Sequence, residues 1–162
     1  MPSDRPKQPR RSIAVGADHA GFALKEEIKE RLLQMGWEVH DFGPCDDQSV
    51  DYPDFARRVA QAVSRQEVQE GLLVCGTGIG MAMAANKVSG VRAAVCHSLE
   101  TAEMSRRHNK ANVLTLGARV LPSELAIDIV NEWLKTGFDG GRHARRVGKI
   151  KELDQTRCQG SD

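Results

Sequence analysis

Short apolar runs alternate along this chain with longer segments whose apolar residues recur every three or four positions. Ile13-Ala14-Val15-Gly16, Leu72-Leu73-Val74-Cys75, Val91-Arg92-Ala93-Ala94-Val95-Cys96 and Val113-Leu114-Thr115-Leu116-Gly117 read as buried strands. Trp37 to Gly43 alternates apolar with polar and reads as a further strand. Between them lie helical stripes: Leu24, Ile28, Leu32 and Met35; Phe55, Val59, Ala62 and Val63; and Ala126, Ile129, Val130, Trp133 and Leu134. Gly36 and Gly137 stand where helices end, Ser98 can N-cap a helix running to about His108, and Pro122-Ser123 opens another. Glu27 and Arg31 are spaced to pair on the exposed face of the first helix. Strand and helix in regular alternation predict an α/β fold, a parallel sheet of five strands covered on both faces.

The stretch richest in chemistry is Leu72-Leu73-Val74-Cys75-Gly76-Thr77-Gly78-Ile79-Gly80, followed by Met81-Ala82-Met83-Ala84-Ala85. It predicts a strand, a tight glycine loop and a helix start. Free N–H groups at a helix start attract negative charge, and a thiol beside them ionises more readily. One loop could thus supply a base or nucleophile together with a cradle for an anion. The other reading of the same pattern is a turn with a small buried cysteine in the core. The P-loop pattern is absent, and Met81 stands where a dinucleotide fingerprint needs glycine.

Composition narrows the function classes. At 162 residues with 40% hydrophobic content, the chain is long enough for one domain with a sizeable core. A formal charge of +1 gives no global field for nucleic acid, and 4% aromatics gives no stacking platform for bases. Cys45, Cys75, Cys96 and Cys158 form no CxxC pair, which argues against a zinc or dithiol motif. No apolar run reaches membrane-spanning length, and no secretory segment is visible. These features point to a soluble cytoplasmic protein with free thiols, no nucleic acid and no membrane. Residues 1–12 read as a basic, disordered tail, 13–154 as the folded domain, and 155–162 as a frayed end.

Other candidates lie where strands and helices end. Asp18 and His19 follow the first strand, at the end where open α/β sheets bind ligands. A capping aspartate and a surface histidine are the plainer reading of that pair. His108 closes a helix whose dipole favours its charged form, which suits a proton donor, although basic helix ends are common on any surface. Arg142 and Arg146 fall on one helical face, where two guanidinium forks suit a phosphate. A solvated helix is the alternative there.

Several segments occur together in one order: Ala17-Asp18-His19-Ala20-Gly21, Asp51-Tyr52-Pro53, Cys75 to Gly80, Ala85-Asn86-Lys87, His108-Asn109, Asn112-Val113 and Gly140-Gly141-Arg142-His143. This ordered set resembles the type B ribose-5-phosphate isomerases, relatives of the galactose-6-phosphate isomerase subunits. The resemblance runs from residue 13 to about 154. It implies a Rossmann-like three-layer α/β/α sandwich, a homodimer or dimer of dimers with active sites shared between subunits, and no metal or cofactor. It further implies that Cys75 moves a proton between C1 and C2 of a sugar phosphate, assisted by Thr77. The amides of Gly76, Gly78, Ile79 and Gly80 would stabilise an enediolate. Asp18 and His108 would open the sugar ring, with Asn109 and Tyr52 near its oxygens. His19, Arg119, Arg142 and Arg146 would hold or steer the phosphate. Family members without the cysteine use a glutamate at the position of Met81, so this chain falls in the cysteine branch. The expected reaction joins ribose 5-phosphate and ribulose 5-phosphate. A six-carbon sugar phosphate and a non-catalytic sugar-phosphate sensor are the alternatives.

Overall fold

The computed structural model describes residues 11–158. Strands β1 (Ser12–Ala17), β2 (Glu38–Asp41), β3 (Glu70–Cys75), β4 (Ala93–Val95) and β5 (Val113–Gly117) form one parallel sheet in the order β2-β1-β3-β5-β4. Helices α1 (Phe22–Gln34), α2 (Tyr52–Ser64), α3 (Ile79–Ala85), α4 (Leu99–Arg107) and α5 (Ser123–Lys135) connect the strands, and α6 (Arg142–Cys158) ends the described chain.

The pleat explains why the strand sequences read as unbroken apolar runs. Successive residues face opposite sides, and both sides are covered. Ile13, Val15, Leu72, Val74, Leu114 and Leu116 pack with Leu24, Ile28 and Leu32 of α1 and with Ile129, Val130 and Trp133 of α5. Ala14, Leu73, Cys75 and Val113 pack on the other face with Ala56, Val59 and Val63 of α2 and with Met81 and Ala85 of α3. Each fully buried Leu, Ile or Val contributes about 1.5–3 kcal/mol of apolar transfer. The three-layer α/β/α arrangement is therefore the one expected.

The structure differs from the pattern in five places. The fourth strand shrinks to Ala93–Val95, because β4 is an edge with β5 as its one neighbour. Met35 lies half exposed beyond the end of α1, whereas Lys25 is fully buried. The Lys25 ammonium donates to Asp41 Oδ1 at 2.9 Å and to the Pro44 carbonyl at 2.8 Å, which is how a charge is tolerated there. Glu27 and Arg31 do not pair; Lys29 instead bridges Glu26 and Asp41 at 2.8 Å each. At the chain ends, Ser12 belongs to β1, and Arg11 reaches the Glu70 carboxylate at 3.1 Å and stacks over Trp37. Helix α6 carries residues 155–158, and the remainder of the expected tail and frayed end lies outside the described residues.

Two features of the topology position the chemistry. β1 and β3 are neighbours from which the chain winds outward in opposite directions, so a crevice opens above their carboxyl ends. Asp18-His19 and the glycine loop after Cys75 both emerge there. Every crossover helix runs back to the opposite, amino edge, and α4 delivers His108 to that edge.

Candidate active site

Cys75 is the last residue of β3 and is buried, 4% exposed. The chain then turns so sharply that the Gly78 N–H donates to Cys75 Sγ at 3.1 Å. Gly78 caps α3 with φ +79°, and a Cβ there would sit 2.9 Å from the Leu116 backbone, so only glycine fits. The Ile79 N–H donates to Thr77 Oγ1 at 3.3 Å. The loop is closed from β5 by Ala118 N–H on the Cys75 carbonyl at 2.8 Å and Arg119 N–H on the Gly76 carbonyl at 3.0 Å. The sulfur thus sits at the root of a loop whose Gly78 and Ile79 amides turn back onto Cys75 and Thr77.

The residues expected around it gather at this edge. Asp18 is buried, its backbone N–H bonded to the Val74 carbonyl at 3.1 Å, and its Oδ1 accepts the Gly21 N–H at 3.0 Å. His19 Nδ1 accepts the Val50 N–H at 3.3 Å, which leaves Nε2 as the protonated nitrogen of the neutral ring. That bond ties the loop ahead of α2 to the end of β1. Tyr52, the first residue of α2, lays its phenol on Gly80; a Cβ there would meet its Cζ at 2.5 Å. The Arg119 side chain lies along Gly76, within 3.4 Å of where a Cβ would be.

A second group stands at the amino edge. His108 caps the C-terminus of α4, and its ring stacks on His143 with centroids 4.1 Å apart and planes 9° from parallel. His143 is buried in the first turn of α6, while Arg142 and Arg146 flank it and are exposed. Burial first, then the charges of His108, Arg142 and Arg146, push the His143 pKa below its ordinary value. Asp139 binds Arg107 Nε through both carboxylate oxygens, at 3.1 and 3.2 Å. His108, Asp139 and His143 offer ligand atoms within 4.8 Å of one another. The surrounding guanidinium groups make the place better suited to an anion than to a cation.

The structure therefore divides the expected residues in two. Asp18, His19, Tyr52, Cys75, Gly76, Thr77, Gly78, Ile79, Gly80 and Arg119 share the carboxyl edge. His108, Asn109, Arg142 and Arg146 share the amino edge. Gly71 pairs with Val113 and Cys75 with Gly117, so Cys75 stands about 13 Å along the strands from the level at which β5 begins. His108 lies before that level. One chain does not bring the two groups together. His143 and Asp139 were not singled out as site residues in the sequence. The signal for His143 was its place between the two arginines.

Around both groups, apolar side chains are left open to solvent: Ile79 and Met83 on α3, Leu99 and Val120 beside the glycine loop, and Ile150 and Leu153 on α6. Among the described residues, no helix is long and apolar enough to cross a membrane.

A doubly covered parallel sheet with a thiol heading a glycine loop at its topological switch defines an α/β protein built for a small anionic ligand. Residues 13–150 match the Ribose/Galactose Isomerase family, and the chain belongs to it. It is 48% identical over 147 residues to ribose-5-phosphate isomerase B of Escherichia coli, covering 91% of this chain and 99% of that one. It is 46% identical over 141 residues to D-erythrulose-4-phosphate isomerase of Pectobacterium atrosepticum, covering 86% and 92%. The solved structure of Clostridium thermocellum ribose-5-phosphate isomerase B superposes with a TM-score of 0.89 at 53% identity, covering 90% of this chain and 99% of that chain.

Proposed function

We propose that this protein is an aldose–ketose isomerase that interconverts ribose 5-phosphate and ribulose 5-phosphate. The observation that supports it best is the Gly78 amide held on the Cys75 sulfur, at the root of a loop with further inward N–H groups. A carbon acid next to a carbonyl needs a base for its proton and donors for the oxyanion that results, and this loop offers both.

The sugar phosphate is mostly cyclic, so its ring must open first. Asp18 and His108 serve as the acid–base pair for that step. The Cys75 thiolate takes the C2 proton, leaving an enediolate whose negative charge faces the amides of Gly76 to Gly80. The same sulfur returns the proton to C1 while the O2 hydroxyl proton passes to O1, and the O2 electron pair becomes the C2 carbonyl. Thr77 assists the proton transfer at Cys75, Asn109 binds sugar oxygens, and Tyr52 walls the loop. His19, Arg119, Arg142 and Arg146 hold the phosphate, whose binding energy fixes the reacting end.

Because Cys75 and His108 stand at opposite edges, the complete site is built from two chains, amino edge against carboxyl edge. The uncovered Ile79 and Met83 of α3 and Ile150 and Leu153 of α6 favour such a partner. The chain is thus a homodimer, or a dimer of dimers, and works in the cytoplasm.

The deciding experiment measures isomerisation of ribose 5-phosphate, erythrulose 4-phosphate, allose 6-phosphate and galactose 6-phosphate by wild type and Cys75→Ala. Preference for the pentose, lost in the variant, is the expected result. Full turnover by Cys75→Ala refutes the assignment of the base. Preference for another chain length keeps the chemistry and changes the substrate.

A further inference from the structure

Two carbonyl groups of the glycine loop point away from the thiol, and each is held by a residue that the proposed chemistry does not use. The Thr77 carbonyl meets His97 Nε2 at 3.2 Å, just past the end of β4. The Gly78 carbonyl accepts the Thr115 hydroxyl of β5 at 2.8 Å. In a trans peptide, the C=O and the following N–H lie in one rigid plane and point in opposite directions. Fixing the Thr77 carbonyl on His97 therefore fixes the Gly78 N–H, the one that reaches Cys75 Sγ. Fixing the Gly78 carbonyl on Thr115 likewise aims the Ile79 N–H, which donates to Thr77 Oγ1.

Thr115 is fully buried in the middle of β5, between Leu114 and Leu116. Valine would fill the same space on a strand with no hydroxyl to satisfy. The hydroxyl has one evident use, its bond to Gly78. The Gly78 carbonyl also accepts the first helical bond of α3, from Ala82 N–H at 3.1 Å, so Thr115 is the bond that ties this oxygen to the sheet.

We propose that Thr115, with His97 as its second, is a positioning residue for the Cys75 loop. It touches neither substrate nor sulfur. Thr115 sets the peptide plane whose N–H faces Thr77, His97 sets the adjoining plane whose N–H faces Cys75, and because the two planes meet at Gly78 they together orient the donors on which the base depends. The proposal rests on the reading of Cys75 as that base.

The test compares Thr115→Val, Thr115→Ser and His97→Ala with wild type and Cys75→Ala. Three readouts are taken: kcat and KM for ribose 5-phosphate, thermal midpoint, and the rate at which iodoacetamide labels the Cys75 peptide at fixed pH, followed by mass spectrometry. Thr115→Val is expected to lower kcat ~10-fold or more with KM changed less than about threefold, and to slow Cys75 labelling. Thr115→Ser, which keeps the hydroxyl, is expected to restore both. His97→Ala, at an exposed position, shifts both in the same direction and covers the case in which Thr115→Val fails to fold. Wild-type kcat and labelling in Thr115→Val overturn the proposal. So does a loss of kcat with unchanged labelling, or a Thr115→Ser variant as impaired as the valine. Labelling needs no turnover, so an active Cys75→Ala refutes the base while the labelling rates still decide the role of Thr115.

Discussion

The ring of His143 lies flat on that of His108, 4.1 Å away, so the last turn of α4 and the first turn of α6 are joined through two imidazoles. Two charged rings in that contact would repel, and Arg142 and Arg146 add to the repulsion. Burial and these neighbours disfavour the protonated form of His143 in the folded chain.

The pH dependence follows from that direction. A base whose folded pKa lies below its unfolded value binds fewer protons folded than unfolded, so acid favours the unfolded chain. Stability from this group is complete above its ordinary value of 6.5 and declines as pH falls below it. Thermal midpoints between pH 8 and 5 are expected to drop more steeply in wild type than in His143→Phe, which keeps the stacking and removes the proton. Parallel curves for the two would show that His143 does not carry the effect.

The separation of Cys75 and His108 predicts complementation. If the site is built from two chains as proposed, mixed pairs of Cys75→Ala and His108→Ala chains contain one site with both residues intact and one with neither. Random re-pairing of equal amounts is expected to recover about one quarter of wild-type activity, where each variant alone is nearly inactive. A mixture that stays inactive after exchange of subunits is demonstrated would mean that each site uses residues of one chain.

Gly21 leaves no room for a side chain. A Cβ there would lie 2.2 Å from the Val74 carbonyl oxygen, a backbone atom that cannot swing aside. Gly21→Ala is expected to cost about 3 kcal/mol or more through overpacking, and to lower the thermal midpoint by roughly 6–12 °C. Calorimetry on the variant checks this; a midpoint within two degrees of wild type, the range of ~0.5 kcal/mol surface changes, would count against the rigid β1–β3 crevice.

Lys25 and Asp41 predict a second, more acidic window. Burial works against the Asp41 charge, but hydrogen bonds from Lys29 and Lys25 prevail and hold its pKa below the ordinary 3.8. Its contribution is complete above that value and is lost as pH falls through the folded one. Lys25→Met is expected to destabilise by about 2–4 kcal/mol at neutral pH, since it leaves the Pro44 carbonyl and part of Asp41 unpaired. The gap to wild type is expected to narrow below pH 3.8. Urea titrations at neutral and acid pH measure both; a gap that does not depend on pH would assign the loss to packing alone.

Much of this architecture was legible because burial on both faces leaves an unmistakable trace. Leu24, Ile28 and Leu32 mark one side of α1, and the strand around Leu72 has no polar interruption before its cysteine. The glycine loop was readable for a related reason, since the Leu116 backbone crowds Gly78 at positive φ and the Tyr52 phenol lies on Gly80. Lys25 and Glu70 were not readable. A periodic pattern places charges in water, and it cannot foresee that Asp41 and Pro44 enclose one of them or that Arg11 and Arg106 enclose the other. Thr115 was hidden in the same way: inside an apolar strand it looks like a substitute for valine, and its bond to Gly78 exists because β3 and β5 are neighbours. His108 was recognisable as a helix end, but pairing it with Cys75 needs the direction of α4, which periodicity does not encode.

The opposite placement of the two edges also has a genetic reading. A lesion at Cys75 and a lesion at His108, carried on different copies, would rescue each other, as recessive alleles of one gene rarely do. A single copy damaged at both edges would behave in the reverse sense. It would spoil both sites of every mixed pair it entered, and its allele would be dominant.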